Sequence, residues 1–96
     1  MPSLIILGSY TDQGIQNMKD LPERLEATKE AMSAAGARLI SFYLTMGEYD
    51  FVATTEVPDM ETGARITLQV GSQGNIRSST MYAFTEEETA SVVGGL

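Results

Sequence analysis

The sequence predicts an α+β protein with a four-stranded antiparallel sheet and two helices on one face, the ferredoxin-like βαββαβ plan. Apolar strand-like runs and helix-like periodic segments follow one another in that order along 96 residues. Only Gly47 and Glu48 separate the second and third strand-like runs, which predicts a hairpin. Right-handed crossovers then give the strand order 4-1-3-2. The length is that of one domain, covering residues 1–96.

The first half of the chain supplies a strand, a loop and a helix. Residues 3–10 contain an unbroken apolar run and predict a strand buried on both faces. Residues 11–14 are polar, end in glycine and predict a loop. A helix is predicted over about 20–35, where Asp20 and Glu23 have the spacing of a capping box.

The second half repeats this order after the hairpin. Residues 37–46 and 49–57 are rich in β-branched and aromatic side chains and predict the second and third strands. A helix over about 59–73 begins at Asp59 as N-cap. Residues 75–84 predict the fourth strand. Thr85 and Glu88 form a second capping box for a short C-terminal helix that ends at Gly94-Gly95.

The composition excludes several kinds of chemistry. The chain has no His and no Cys, which removes imidazole bases, thiolate nucleophiles and zinc held by nitrogen or sulfur. We expect no cofactor. We also expect no metal site, because the spacing of Asp12, Glu48 and Asp50 matches no known metal motif. The net charge is -7, so nucleic acid and anionic membranes are not expected as partners. No basic leader precedes the first strand, and the cytoplasm is the expected location.

Apolar residues point to both faces of the predicted sheet. If strand alternation is regular, each of three strands places apolar side chains on both faces of the sheet. Leu4 and Ile6 oppose Ile5 and Leu7 in the first strand, Leu39 and Tyr43 oppose Ile40, Phe42, Leu44 and Met46 in the second, and Phe51 and Ala53 oppose Val52 in the third. Two helices cover only one face, and soluble monomers rarely expose such a large apolar surface. We therefore expect a homo-oligomer in which a second copy covers the other face, as a dimeric α+β barrel. The alternative is that the C-terminal helix folds under the sheet.

The segment from Thr45 to Ala53, with its Gly47-Glu48-Tyr49-Asp50 centre, resembles the signature of the GYD domain family of small bacterial and archaeal proteins. Three more stretches are similar to the family pattern: Tyr10 to Gly14, Pro22 to Arg24, and Gly74 to Thr80 with Ala83-Phe84. The resemblance implies a ferredoxin-like, dimeric α+β barrel. It implies no particular activity.

Gly47, Tyr49 and Asp50 form the first candidate site. In the structural interpretation, Gly47 supplies a positive φ, the Tyr49 ring packs, and Asp50 bonds turn amides. In the functional interpretation, Tyr49 and Asp50 orient a ligand at the mouth of a cavity. Arg77 is the second candidate, either in an ion pair with Asp50 or as a clamp for an anion.

Other polar residues in the strands complete the candidate ligand site. Tyr10, Tyr43, Thr80 and Tyr82 form the third candidate. Tyr10 and Asp12 end the first strand, and Tyr43 shares a predicted face with Ser41 and Thr45. Core tyrosines with one satisfied hydroxyl are the commoner outcome. Arg24 is expected on the solvated face of the first helix.

The favoured function is a homo-oligomeric protein that binds a small organic molecule between sheet and helices. One alternative is a cofactor-independent oxygenase or isomerase that uses Tyr49, Asp50 and Arg77, which rests on fold analogy. Another is a purely structural assembly protein. A cavity of about 300 Å³ or more would favour ligand binding over a structural role.

Overall fold

The computed structural model describes residues 1–96 and contains one four-stranded antiparallel sheet. The strands are β1 Ser3–Tyr10, β2 Arg38–Leu44, β3 Phe51–Glu56 and β4 Ile76–Ala83. The helices are α1 Asp12–Gln16, α2 Leu21–Ala34, α3 Met60–Ser72 and α4 Glu86–Gly94, with a 3₁₀ turn at Met18–Asp20. The sheet order is β2-β3-β1-β4, which confirms the predicted order read from the opposite edge. No helix has the length and apolar character needed to cross a bilayer.

The core lies between the sheet and the helices α2 and α3. Leu4 of β1, Met32 of α2 and Val57 after β3 form its centre. Gly63 allows α3 to approach the sheet closely, because a Cβ atom there would lie 3.0 Å from Leu4 Cδ1. Only 10 of the 96 residues are buried, so this core is small for a chain of this length.

Two of the three predicted helix caps form. The Asp59 side chain accepts a hydrogen bond from the Thr62 N–H at 2.7 Å, and Thr85 and Glu88 form a complete capping box. The predicted capping box at Asp20 is wrong, because no side-chain cap bond forms there. Asp20 ends the 3₁₀ turn and has φ -88° and ψ 1°, whereas an N-cap residue needs extended backbone.

The predicted loop at 11–14 is instead the start of α1. Thr11 has extended backbone (φ -75°, ψ 175°), and its hydroxyl accepts a hydrogen bond from the Gly14 N–H at 3.1 Å. This side-chain cap turns a polar, glycine-containing segment into a short helix.

The hairpin between β2 and β3 is longer than the predicted two residues. The Thr45 N–H donates to the Asp50 carbonyl at 2.8 Å and closes a loop that contains Met46 to Tyr49. Gly47 has φ +153°, so the expectation of a positive φ at this position is confirmed.

A bulge at Ile40 changes which side chains of β2 share a face. Leu39 pairs with Thr55, and Ser41 pairs with the next residue of β3, Thr54, so Ile40 has no partner. The regular alternation predicted for β2 is therefore wrong. Leu39 and Phe42 both face the helices, and Tyr43 points away from them.

The surface of the sheet opposite the helices is called the open face. Its apolar residues are Ile5, Leu7, Tyr43, Val52 and Met81, and Thr54 and Ser79 lie among them opposite Ile5 and Leu7. The C-terminal helix does not cover it: α4 has no buried residue, and Val92 and Val93 are more than half exposed. The alternative in which this helix folds under the sheet is wrong.

Candidate functional site

A cavity of about 120 Å³ lies between the sheet and the helices α2 and α3. Its walls are mainly apolar and include Leu4, Ile6 and Phe51 from the sheet. A groove of about 510 Å³ lies between the two helices, with Ala27 and Gln69 on its opposite walls. Cavity and groove share six lining residues: Arg24, Thr28, Met32, Ile66, Val70 and Gln73. The gap between the helices therefore leads from solvent to the helix-facing side of the sheet.

The cavity has polar groups at the end formed by Tyr10 and Arg24. Arg24 is the only charged residue in its lining. The Tyr10 hydroxyl and Arg24 Nη2 are buried and have no hydrogen-bond partner. Arg24 Nη1 donates to the Asn17 carbonyl at 2.6 Å, which fixes the guanidinium. Arg24 takes part in none of the three ion pairs of the chain, so its charge has no carboxylate partner.

The electrostatics of Tyr10 reflect this position. Burial raises the pKa of Tyr10 above its ordinary value, the nearby Arg24 charge lowers it, and Asp50 raises it further. The net direction is upward, so the hydroxyl is protonated at neutral pH. Both polar groups at this end of the cavity are therefore hydrogen-bond donors, one neutral and one cationic.

Aromatic packing holds Tyr10 in place. Its ring centroid lies 5.5 Å from that of Phe51, which in turn lies 5.4 Å from that of Phe42. Phe51 fits over β1 because residue 8 is glycine: a Cβ atom at Gly8 would lie 2.0 Å from the Phe51 ring. The site thus rests on a row of three rings on the helix-facing side of the sheet.

Asp50 positions the end of β1. Its Oδ2 accepts a hydrogen bond from the Tyr10 N–H at 2.9 Å, and its own N–H donates to the Gly8 carbonyl at 2.8 Å. The carboxylate thus bonds a backbone amide, as the structural interpretation expected, but the amide belongs to β1 and not to the hairpin loop. Asp50 acts on the cavity through the backbone of Tyr10.

The segment after Tyr10 is attached to the start of β4. The Thr11 N–H donates to the Asn75 carbonyl at 3.0 Å, and the Thr11 hydroxyl donates to the Gly74 carbonyl at 2.6 Å. Gly14 lies so close to this turn that a Cβ atom there would be 2.0 Å from the Asn75 carbonyl oxygen. Each of the four stretches that resemble the GYD family contributes one residue here: Tyr10, Arg24, Asp50 and Asn75. The four stretches therefore meet around the polar end of the cavity.

The structure separates the predicted site residues. Of the six candidates, Tyr10 lines the cavity, and Asp50 bonds the backbone N–H of Tyr10 without lining the cavity itself. Tyr49 is half-buried, and its carbonyl accepts the Thr45 hydroxyl at 2.7 Å. The other three lie elsewhere and are exposed: Asp12 in the first turn of α1, Tyr43 on the open face, and Arg77 on β4.

The proposed ion pair between Asp50 and Arg77 is wrong. None of the three ion pairs contains either residue. The Asp50 carboxylate bonds the Tyr10 N–H instead, and Arg77 is an exposed residue of an edge strand opposite Ser9. None of the three residues of the oxygenase or isomerase alternative lines the cavity or the groove.

Arg24 is a candidate site residue that the sequence does not predict. Its expected position is on a solvated helix face, whereas the side chain is half-buried and lines the cavity. A signal was present: Arg24 lies three residues after Leu21 and four before Thr28, on the apolar stripe that faces the sheet. No group of three or more acidic residues is placed to hold a metal ion.

The fold and the site define a small ferredoxin-like α+β protein with an apolar cavity under two splayed helices. The model of the GYD domain matches residues 4–93, and the chain belongs to the GYD domain family.

Among curated proteins, the chain is similar to the glutamine synthetase and cystathionine beta-lyase binding protein of Thermus thermophilus. The two are 36% identical over 84 residues, which cover 86% of this chain and 88% of that protein. This identity extends over most of both chains.

Two solved structures share the fold. The crystal structure of FFRP-DM1 is 23% identical, with a TM-score of 0.63, covering 88% of this chain and 100% of that one. The crystal structure of MtbAldR is 9% identical, with a TM-score of 0.69 over 88% of this chain. The matched part is 52% of MtbAldR, so this chain spans about half the length of that protein. At these identities the likeness concerns the fold alone.

Proposed function

We propose that this protein is a non-catalytic binding protein that associates with metabolic enzymes as a homo-oligomer. One observation carries the proposal: a relative that is 36% identical over 86% of the chain is named as a binding protein for glutamine synthetase and cystathionine beta-lyase. Enzymes of this kind act inside the cell, so the proposal includes a cytoplasmic location.

The surface area of the subunit supports the homo-oligomer. A monomer of 10.4 kDa is expected to expose about 5,400 Å². This subunit exposes 6519 Å². The excess is about 1,100 Å² relative to that scaling, and a standard interface buries about 800 Å² per partner. A second copy that covers the open face would remove an area of this order.

The chemistry of the open face has the anatomy of an interface. Apolar side chains such as Leu7, Val52 and Met81 lie at its centre. The Arg38–Glu56 ion pair lies at one margin, and the Ser41 and Thr54 hydroxyls hydrogen-bond each other beside Ile5. An apolar centre with a polar rim is the common arrangement in protein interfaces. Two open faces packed together form the dimeric α+β barrel.

Tyr43→Lys tests the dimer. Tyr43 is 65% exposed in the subunit, so the substitution should leave the subunit fold intact and place a charge in the interface. We expect sedimentation equilibrium to give a dimer or larger for the unmodified protein and a monomer for the variant. Ile15→Lys is the matched control, because Ile15 is 57% exposed and lies on α1, away from the open face. A monomeric unmodified protein at high concentration would refute this assembly.

Association with enzymes is tested with purified components. Glutamine synthetase and cystathionine beta-lyase from the same organism are each immobilised, and binding of this protein is followed by biolayer interferometry. We expect saturable binding to at least one of them and none to an unrelated enzyme of similar size and charge. Absence of binding to both enzymes at micromolar concentration contradicts the proposal.

A second candidate function is binding of a small organic molecule. The cavity between sheet and helices favours it, because unpartnered polar groups at one end face an apolar interior. The inner cavity is smaller than the volume of about 300 Å³ expected for drug-sized ligands, but it continues into the larger groove. Isothermal titration against a metabolite panel tests this function, and a panel with no binder counts against it.

A further inference from the structure

We propose that the cavity binds a small organic acid, whose carboxylate accepts hydrogen bonds from Arg24 Nη2 and the Tyr10 hydroxyl, with its apolar part between the sheet and the helices α2 and α3. This inference rests on the second candidate function and names the class of ligand that the cavity takes.

The charge of the ligand follows from the two donors. A buried hydrogen-bond donor without a partner costs free energy, and a partly buried guanidinium without a carboxylate partner costs more. Arg24 is half-buried, lies in a cavity with no other charged residue, and has no ion pair. The Tyr10 hydroxyl is a second donor without a partner at the same end. A carboxylate has two acceptor oxygens and one negative charge, so it satisfies both donors and neutralises Arg24.

The guanidinium is held in position before the ligand arrives. Arg24 Nη1 donates to the Asn17 carbonyl, so the side chain is anchored at one nitrogen while Nη2 remains free. Tyr10 is fixed by its ring packing on Phe51 and by Asp50 at its backbone. A preorganised pair of donors loses little conformational entropy on binding.

The size and polarity of the cavity restrict the rest of the ligand. A cavity of about 150 Å³ lined by apolar side chains accepts benzene. The inner cavity here is about 120 Å³ and is lined mainly by apolar groups such as Ile6 and Phe51. A short branched chain fits this space, and one aromatic ring fits where the cavity continues into the groove. Larger parts of the ligand would extend into the groove past Ala27 and Gln69.

The test uses phenylacetate as the probe and phenylacetamide as its neutral analogue. Binding is measured by isothermal titration and by amide chemical shifts of residues around the cavity. We expect phenylacetate to bind at least tenfold more tightly than phenylacetamide, since a hydrogen bond to a charged group is about twice as strong as a neutral one. Shifts should concentrate at Tyr10, Arg24 and Phe51.

Three variants and one matched control assign the roles of the donors. Arg24→Gln should weaken phenylacetate at least tenfold and leave phenylacetamide nearly unchanged. Tyr10→Phe should weaken phenylacetate severalfold and keep the preference for the acid. Arg65→Gln is the matched control, because it removes the same charge from an exposed position on α3 outside the cavity. Arg24→Lys keeps the charge but not the planar fork and should give intermediate affinity.

The outcomes distinguish a failure of the acid inference from a failure of the small-molecule function. If neither probe binds or shifts cavity resonances, the acid inference fails, and the metabolite panel decides the small-molecule function separately. If the two probes bind equally well, or if Arg24→Gln leaves phenylacetate affinity unchanged while its circular dichroism spectrum is native, the acid inference alone fails. If Arg24→Gln unfolds the protein, the acid inference stands only if the unmodified protein and Tyr10→Phe both bind phenylacetate more tightly than phenylacetamide.

Discussion

At the scale of the residue, glycines and one aspartate fix the polar end of the cavity. Gly8 leaves space for the Phe51 ring, Gly14 lets α1 touch the backbone of Asn75, and Asp50 bonds the N–H of Tyr10. None of these three residues has to contact a ligand to affect the proposed binding in the cavity. Each sets the position of Tyr10 or of the chain beside it.

Gly14→Ala is expected to destabilise the protein. Its Cβ atom would lie 2.0 Å from the Asn75 carbonyl oxygen, and a backbone atom cannot move away as a flexible side chain can. Gly71→Ala is the matched control within a helix, because nothing lies within 4 Å of its Cβ position. That substitution should stabilise by up to about 1 kcal/mol, since alanine is the better helix former. Urea denaturation measures both changes, and equal effects would contradict the close approach at Gly14.

Asp50→Ala is expected to lower the free energy of unfolding by about 1–3 kcal/mol, because the Tyr10 N–H loses a charged acceptor. Asp50→Asn keeps an acceptor oxygen of similar geometry and should lose less. If Tyr10 moves with the strand end, Asp50→Ala also weakens phenylacetate binding. An Asp50→Ala variant as stable as the unmodified protein in urea denaturation would show that the carboxylate does not hold β1.

At the scale of the element, the helices begin where short side-chain motifs place them. The Thr62 N–H bonds the Asp59 carboxylate, and this hydrogen bond lowers the pKa of Asp59. The Thr85 N–H lowers the pKa of Glu88 in the same way. These bonds are local, within four residues of sequence, so the sequence alone could predict them. Asp20 has the same residue pattern, but the preceding 3₁₀ turn fixes its backbone in another conformation.

The stability contributed by Asp59 should depend on pH. Because its pKa is lower in the folded state, the contribution is fully present above its unfolded value of about 3.9 and is lost as the pH falls through the lowered pKa. Asp59→Asn still caps the helix but does not titrate. The unmodified protein should therefore be more stable than Asp59→Asn at pH 7, and the difference should shrink towards pH 2. Thermal unfolding at both pH values checks this, and a difference independent of pH would contradict it.

At the scale of the whole molecule, the subunit is extended. Its radius of gyration is 14.3 Å, whereas a chain of this length is expected to have about 12.5 Å. The extents are 48 × 32 × 18 Å, and α4 has no buried residue. If the subunit associates through its open face as proposed, an extended shape and a small core mean that part of its stability comes from that association.

The melting temperature should therefore rise with protein concentration, because association stabilises the folded state by mass action. We expect a rise of several degrees between about 1 and 100 μM for the unmodified protein. Tyr43→Lys should melt at a lower temperature that does not depend on concentration. Differential scanning fluorimetry measures both, and a constant melting temperature for the unmodified protein would contradict the role given to the open face.

The sequence predicted the order of strands, two of three caps and the family, because these depend on local patterns and on the handedness of crossovers. It did not predict the position of Arg24 or the bulge. Helical spacing locates a face of a helix, but whether an arginine on that face reaches solvent depends on how far α2 and α3 separate. The attachment of α1 to the start of β4 rests on hydrogen bonds between residues about 60 positions apart, such as Gln13 to Gln73. No local pattern encodes such bonds.

Because Ile40 is unpaired, β2 should tolerate the deletion of this residue better than the deletion of a neighbour. Thr55 and Thr54 are consecutive in β3 and already pair with Leu39 and Ser41. Loss of the codon for Ile40 would close the bulge and leave every other pairing of β2 as it is. Loss of Ser41 would instead require Ile40 to pair in its place, with its side chain on the open face. Natural length variation in this strand is therefore expected to concentrate at one position.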